Sequence, residues 1–169
     1  EHAPTKLFPF KEFELNELLS FLEENRIFLC IRMHLYDTTG YEWLKKLDGS
    51  GSRIRFLNED RASDIMEILN VFDLLITDYS SVGFEFAILE RPIVFFAYDK
   101  DQYLDERGMY YDYEEITPGP ICTETEEIIS YIDSLKDGFD DTEIKKFKEQ
   151  YVKMCDGHAT ERTIALFDE

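Results

Sequence analysis

The stretch Leu74-Leu75-Ile76-Thr77-Asp78-Tyr79-Ser80-Ser81-Val82-Gly83-Phe84-Glu85 decides the fold. Its first four residues, 74–77, form a short apolar run that predicts a buried strand, and apolar residues then recur at helical spacing across about 81–89. Small hydroxyl residues stand where the strand gives way to the helix, at 78–81, a segment that we call the serine turn. A strand followed closely by a helix is the building unit of a parallel sheet covered by helices.

The same alternation extends outward in both directions. Apolar runs predict further strands at 26–33, 54–57 and 92–98. The stretch 99–119, rich in tyrosine and acidic residues, is predicted to be a long irregular loop. Near-continuous apolar strands separated by helices predict an α/β fold, with a Rossmann-like parallel sheet flanked by helices on both faces. The other predicted helices lie at about 13–24, 40–47, 63–71, 123–135, 141–154 and 158–167.

Length and charge limit the function classes open to the chain. The 169 residues fit one domain over 1–169, and no apolar run approaches the roughly 18 residues of a membrane-spanning helix. The 18 basic and 37 acidic side chains give a net charge of -19. Such a charge repels nucleic-acid backbones and anionic lipid surfaces, so we expect neither to be a direct partner.

Histidines and cysteines form no metal-binding pattern in the sequence. Cys30, Cys122 and Cys155 lie far apart without a CxxC pair, and no two histidines have the spacing of metal ligands. We therefore expect no metal site and a reducing compartment. The chain opens at Glu1 without an initiating methionine, so we also expect it to be a piece of a longer protein.

Phosphate binding is one interpretation of the serine turn. Ligands of parallel α/β sheets bind beyond the carboxyl ends of the strands, and the free N–H groups of a helix start, together with serine hydroxyls, suit a phosphate. The alternative is that Ser80 or Ser81 only caps the helix. Glu85 lies one helical turn beyond the serines, where it could accept hydrogen bonds from ribose hydroxyls. A solvated helix glutamate is the alternative there.

A second candidate element ends the strand predicted at 26–33. Arg32 and His34 are two residues apart on a strand, so their side chains share a face and can converge on one anion. His34 could donate to a phosphate or act in proton transfer. It could equally be a structural histidine whose hydrogen bonds are satisfied within the fold.

Longer segments of the sequence resemble a known family. The segment 76–120, ITDYSSVGFEFAILERPIVFFAYDKDQYLDERGMYYDYEEITPGP, combines the serine turn with an Arg-Pro pair, a strand ending in Tyr-Asp and a tyrosine-rich stretch ending in Pro-Gly-Pro. Upstream stand Ala3-Pro4-Thr5 and Ile31-Arg32-Met33-His34, and downstream Asp156-Gly157-His158-Ala159-Thr160-Glu161-Arg162. In this order, over essentially the whole chain, these elements resemble the CDP-glycerol glycerophosphotransferase family of teichoic-acid primases and polymerases.

The resemblance implies a fold, a reaction and residue roles. The fold would be the C-terminal, nucleotide-binding half of a GT-B enzyme, with the N-terminal acceptor domain absent from this chain. The reaction would move glycerol phosphate, or a related polyol phosphate, from a CDP-linked donor to an acceptor hydroxyl without a cofactor. Ser80 and Ser81 would contact the donor diphosphate and Glu85 the ribose, while His34 would act as the catalytic residue at the diphosphate or the reacting centre. The further substrate-binding candidates are Arg32, Thr77, Asp78, Tyr79, Tyr98, Asp156 and Gly157.

Expected partners and location follow from the resemblance. The donor would be CDP-glycerol or a related CDP-polyol, and the acceptor would be a polymer or lipid-linked hydroxyl held by the missing domain. The isolated chain should then bind donor but turn over poorly. We expect a cytoplasmic protein, peripheral in its full length at the inner face of the membrane, with no membrane contact through this acidic domain. Two alternatives stay open: a glycosyltransferase or epimerase domain that uses UDP or GDP sugars, and a non-catalytic interaction domain.

Overall fold

The computed structural model of the chain describes residues 12–32, 46–49, 51–57 and 61–167. Its contacts divide the chain into two compact units, 1–67 and 68–169, which are described in turn. Across the described ranges, no helix is both long enough and apolar enough to cross a membrane.

The first unit is built on helix α1 (Glu12–Glu24) and two short parallel strands, β1 (Leu29–Ile31) and β2 (Ile54–Phe56). The strands pair with Leu29 opposite Ile54. Leucines spaced three and four residues apart give α1 an apolar face that packs on the two strands. The strands predicted in this region are therefore confirmed in a shorter form. The buried core of the unit consists of Leu18, Leu22, Ile31, Ile54 and Phe56.

The helix predicted at 63–71 is wrong. Two short 3-10 helices, Ile65–Glu67 and Leu69–Val71, occupy this segment, and the boundary between the two units falls between them. The Asp64 carboxylate accepts the N–H of Met66 at 2.9 Å, a local hydrogen bond that competes with a continuous helix. Most of the helix predicted at 40–47 lies outside the described residues.

The second unit holds a parallel sheet of three strands, β3 (Leu75–Thr77), β4 (Ile93–Phe96) and β5 (Ile121–Cys122), in that order across the sheet. The register sets Phe95 between Thr77 and Ile121. All four residues of the central strand β4 are buried, as expected from its unbroken apolar sequence.

Helices cover both faces of this sheet. Val94 and Phe96 pack with Cys122 and Ile128 on one face, whereas the ring of Phe95 lies against Gly83 on the other. The predicted parallel α/β arrangement is therefore confirmed. The described helices of the unit are α2 (Val82–Ala87), α3 (Lys100–Arg107), α4 (Thr125–Ser134), α5 (Thr142–Phe147) and α6 (Ala159–Ala165), and α5 continues into a π-helical turn at Lys148–Val152.

The loop predicted at 99–119 is wrong in its first half, which forms α3. This helix is mostly exposed and only Lys100, Tyr103 and Leu104 are half-buried, so it lacks the apolar stripe by which a helix is usually predicted. Gly108 ends it with a φ of 66°. The helix predicted at 81–89 exists but ends at Ala87, and the turn that follows it ends at Glu90, which adopts a left-handed conformation with a φ of 54°.

Gly119 marks the point where the chain returns to the sheet. A Cβ at this position would lie 1.9 Å from the carbonyl oxygen of Ile93, a distance that no side chain can occupy. The next residue, Pro120, accepts the N–H of Phe95 at 2.9 Å through its carbonyl. The end of the 99–119 segment is thus fixed against the central strand by direct backbone contact.

Candidate functional site

The serine turn joins β3 to α2 through four residues, 78–81. The Asp78 carboxylate accepts the Ser80 N–H at 3.2 Å, and the Ser80 hydroxyl oxygen lies 3.4 Å from the N–H of Val82 as a weak cap. The capping alternative therefore holds in part for Ser80. Ser81 occupies the N-cap position, yet its hydroxyl makes no capping hydrogen bond, and both serines are exposed. The turn presents two hydroxyl groups to its surroundings at the carboxyl end of a strand.

Tyr79, in the middle of the turn, is fixed by the segment that follows β4. Its hydroxyl donates to the Asp99 carboxylate at 2.9 Å. Its ring stacks on that of Tyr103 with the centroids 3.8 Å apart and the planes 15° from parallel. Asp99, directly before α3, and Tyr103 within that helix therefore hold the aromatic side chain of the turn.

Tyr113 fixes the residue at the start of the turn. Its hydroxyl donates to the backbone carbonyl of Asp78 at 3.0 Å, across 35 residues of sequence. The side chain is almost completely buried, with 4% of the residue exposed, and its ring meets those of Tyr79 and Phe95 at 5.3 and 6.2 Å between centroids. We call residues 99–117, which carry these contacts, the tyrosine segment.

Both tyrosine hydroxyls are held in the protonated form. Burial is the main cause that raises the pKa of Tyr79, and the hydrogen bond to Asp99 and the nearby negative charges raise it further. Burial likewise raises the pKa of Tyr113, with Asp78 and Asp99 adding to the effect. The two groups therefore act as hydrogen-bond donors throughout the neutral pH range.

A narrow cavity lies between the serine turn and the tyrosine segment. Its walls include Tyr79, Phe84, Met109 and Tyr113, and its volume is about 20 Å³, enough for about one water molecule. A nucleotide cannot enter it. A ligand would have to meet the turn on the exposed side, where Ser80 and Ser81 lie.

Glu85 carries an unpartnered acceptor close to the turn in sequence. It lies in α2, one helical turn beyond the serines, and its Oε2 atom is buried without a hydrogen-bond partner among the described residues. A buried carboxylate oxygen of this kind is usually hydrogen-bonded, because its desolvation is otherwise uncompensated. The burial of this oxygen is not what the alternative of a solvated glutamate predicts, and a ligand hydroxyl is one group that could pair with it.

Arg32 and His34 belong to the first unit and cannot be related to the serine turn. The Arg32 guanidinium donates to the carbonyls of Leu57 at 3.3 Å, Ala62 at 2.7 Å and Ser63 at 3.3 Å. These contacts tie the strand end to the segment after β2. His34 lies outside the described residues, so the convergence of the two side chains on an anion stays a prediction.

The remaining candidates make contacts within the second unit. Tyr98 packs in the core beside Phe96, with the ring centroids 5.2 Å apart, and Thr77 ends β3 half-buried. Both carboxylate oxygens of Asp156 lie 2.8 Å from the Arg162 guanidinium. Gly157 has a φ of 84° in the turn before α6. Substrate contacts by these residues stay predictions.

The sequence interpretation assigned Asp99, Tyr103 and Tyr113 no role in substrate binding. Their contacts with the turn join residues 20 to 35 positions apart, so local spacing does not reveal them. Two signals were available: Asp99 directly follows a predicted strand, and tyrosines are concentrated in the stretch after it. In the part of the chain that the structure describes, no group of three or more His, Cys, Asp or Glu side chains is arranged to hold a metal.

Comparison with known proteins gives consistent matches. The family model of CDP-glycerol:poly(glycerophosphate) glycerophosphotransferases matches residues 2–167. A teichoic acid poly(ribitol-phosphate) polymerase of Bacillus spizizenii is 44% identical over 101 residues, which are 60% of this chain and 16% of that protein. A teichoic acid glycerol-phosphate transferase of Staphylococcus aureus is 35% identical over 157 residues, 89% of this chain and 37% of that protein.

Solved structures of the wall teichoic acid polymerase TagF match the fold. One superposes with a TM-score of 0.69 at 32% identity and covers 96% of this chain and 38% of that protein. Another, with a TM-score of 0.63 at 28% identity, is of a TagF variant soaked with CDPG. The GT-B-type fold expected from the sequence is therefore confirmed. The chain spans well under half the length of the relatives that it matches.

Proposed function

The chain belongs to the CDP-glycerol:poly(glycerophosphate) glycerophosphotransferase family, and on that premise we propose that it carries the donor-binding part of a polyol-phosphate transferase. The enzyme would move glycerol phosphate from CDP-glycerol, or a related polyol phosphate from its CDP donor, to an acceptor hydroxyl in the synthesis of a teichoic-acid-like polymer. Relatives that are described as glycerol-phosphate and ribitol-phosphate transferases and polymerases support this proposal.

One observation supports assigning donor binding to particular residues. Two exposed serine hydroxyls and the unpartnered Oε2 of Glu85 lie on one strand–turn–helix unit, at the carboxyl end of β3. In open α/β sheets this end is where ligands bind. Hydroxyl donors suit diphosphate oxygens and a carboxylate suits ribose hydroxyls, so the set fits a nucleoside diphosphate better than a free sugar or a metal ion.

The proposed reaction has a simple balance of bonds. The acceptor oxygen attacks the phosphorus that bears the glycerol, the bond from this phosphorus to the bridging oxygen breaks, and CMP leaves. A base takes the proton of the acceptor hydroxyl. Negative charge grows on the leaving phosphate, where the hydroxyls of Ser80 and Ser81 would stabilise it. His34 is the proposed catalytic residue at the diphosphate.

The acceptor and the cellular location belong to the same proposal. A polymer or lipid-linked acceptor would be held by a part of the enzyme outside these 169 residues, and this chain alone would bind donor with little turnover. Residues 68–169 contain 24 acidic and 9 basic side chains, so an anionic lipid surface repels this unit. We therefore propose a cytoplasmic donor site whose membrane contact, at the inner face, lies elsewhere in the protein.

The proposal is tested by measuring the melting temperature of the chain in the presence of each of several ligands. CDP-glycerol, CDP-ribitol and CDP should stabilise the chain, whereas UDP and GDP should stabilise it less. A ligand at 100 times its dissociation constant adds about 2.7 kcal/mol to the free energy of unfolding, which is easily measured. The double variant Ser80→Ala, Ser81→Ala should lose this gain. The matched control replaces two exposed serines of α4, Ser130 and Ser134, by alanine and should keep it. Equal stabilisation of the wild type and the serine-turn variant would contradict the proposal.

A second arm of the panel tests Glu85. If this carboxylate accepts from the ribose, Glu85→Gln should weaken CDP about ten-fold and leave inorganic pyrophosphate unchanged, because only CDP carries the ribose. Glu126→Gln, an exposed glutamate of α4, is the control. A parallel loss for both ligands, or no loss for either, would remove Glu85 from the ribose site.

A further inference from the structure

We propose that Tyr113 and Asp99 are positioning residues of the donor site, which hold the serine turn in the conformation that binds a diphosphate; this inference rests on the proposed function. Neither residue was assigned a role in substrate binding from the sequence. Asp99 begins the tyrosine segment and reaches the turn through Tyr79, whereas Tyr113 lies further along it and reaches the turn through Asp78.

The hydrogen bond from Tyr113 controls the orientation of a peptide group. The Asp78 carbonyl that accepts from Tyr113 at 3.0 Å belongs to the same planar unit as the N–H of Tyr79. Fixing the direction of this carbonyl therefore fixes the N–H group of Tyr79, within the turn. The chain continues directly from this peptide group to the two serines, whose hydroxyls are exposed at the end of the turn.

The hydrogen bond to Asp99 fixes the other side of the same peptide. Tyr79 donates to Asp99 at 2.9 Å, and its ring is held between those of Tyr103 and Tyr113, at 3.8 and 5.3 Å between centroids. The side chain that follows the oriented peptide group is therefore restrained by a hydrogen bond and two ring contacts. Backbone and side chain of the turn are restrained by separate groups.

Local contacts of the turn are too weak to do this alone. Within the turn, the hydrogen bonds are long, at 3.2 Å for the Ser80 N–H and 3.4 Å for the Val82 N–H, and α2 has only six residues. Both serines are exposed, whereas Tyr113 is buried. The well-buried group of the arrangement is thus Tyr113, and we infer that the turn takes its conformation from it and from Asp99. A turn fixed before the ligand arrives binds more tightly, because less conformational freedom is lost on binding.

Calorimetric titration of CDP and of inorganic pyrophosphate tests this proposal, at a temperature well below the melting temperature of every variant. Tyr113→Phe keeps the ring and removes only the hydroxyl, and Asp99→Ala removes the acceptor of Tyr79. Each should weaken CDP and pyrophosphate by the same factor, about five-fold or more, because both ligands share the diphosphate. Asp99→Asn keeps an acceptor oxygen and should restore binding close to that of the wild type.

The controls separate positioning from stability and from the proposed function. Tyr131→Phe, a half-buried tyrosine packed on the far face of the sheet, should leave both dissociation constants unchanged. If Asp99→Ala does not fold, Tyr79→Phe removes the same hydrogen bond with the ring retained. Variants that melt earlier but bind with wild-type dissociation constants would overturn the positioning role and leave the proposed function standing. A wild type that binds neither CDP nor CDP-glycerol would overturn the proposed function, and the positioning role with it.

Discussion

Two segments stood out in the sequence, and the structure supports them in different ways. The serine turn at 78–81 is held by Asp99 and Tyr113, which are 20 and 35 residues away from their partners. The segment 156–162 is held almost entirely by itself: Arg162 pairs with Asp156 at 2.8 Å and donates to the carbonyl of Met154 at 2.6 Å. A short motif can therefore mark either a site of long-range tertiary contacts or a locally stabilised turn, and the sequence of the motif does not distinguish the two.

Burial separates the two segments further. Tyr113, which supports the serine turn, is 4% exposed and touches the central strand through Phe95. Residues 153–161 are exposed throughout. A change near the serine turn should thus be transmitted to the sheet, whereas a change in 156–162 should remain local.

Gly119→Ala should be the most damaging single substitution. The added methyl group would lie 1.9 Å from the carbonyl oxygen of Ile93, and this oxygen belongs to the buried strand β4. Either β4 or the chain around Gly119 has to move, and we expect the free energy of unfolding to fall by about 3 kcal/mol or more. Urea denaturation monitored by circular dichroism measures this change.

Gly83→Ala is the matched control for this prediction. Its added Cβ would meet the Phe95 ring at 3.5 Å, an ordinary van der Waals distance, and alanine is the better helix former. We expect stability within about 1 kcal/mol of the wild type. Equal stability of the two alanine variants would show that the chain does not approach β4 at Gly119 in the way described.

The same contrast between local and long-range contacts explains which parts of the fold and the site could be predicted from the sequence. The strand at 74–77 and the turn after it were predictable, because an apolar run and hydroxyl residues are local signals. The loss of a continuous helix at 63–71 was not, since Asp64 and the unit boundary outweigh the apolar spacing there. Helix α3 lacked an apolar stripe. The contact of Tyr113 with Asp78 depends on how β4 and the turn come together in the fold, which no local pattern encodes.

Alkaline pH should affect the serine turn before it affects segment 156–162. Burial and Asp99 raise the pKa of Tyr79, and burial raises that of Tyr113, above the usual value of about 10. Above about pH 10 the unfolded chain loses these protons and the folded chain does not, so stability is complete below that pH and falls as the pH rises. Replacing both tyrosines by phenylalanine should make this decline shallower in urea titrations between about pH 8 and 11. Tyr110→Phe, at an exposed ring, controls for the replacement itself, and an unchanged decline in the double variant would contradict the prediction.

The smallest effect is expected from Asp156→Asn, which tests whether segment 156–162 is stabilised only by its own local contacts. The pKa of Asp156 is lowered by the N–H of His158 and by Arg162, so its contribution to stability is present above the usual carboxyl range and is lost only as the pH falls through the lowered pKa. At neutral pH, asparagine keeps an oxygen for the His158 N–H and loses only the charge that faces Arg162. Because this ion pair is exposed, we expect the melting temperature to change by about 2 °C at most.

The affinity for CDP should stay within about two-fold of the wild type, since both oxygens of Asp156 are already engaged by Arg162. A loss of about ten-fold in CDP affinity without a change in melting temperature would instead make Asp156 a substrate-binding residue, as the family resemblance implies. Segment 156–162 would then be a second part of the donor site and not a local cap.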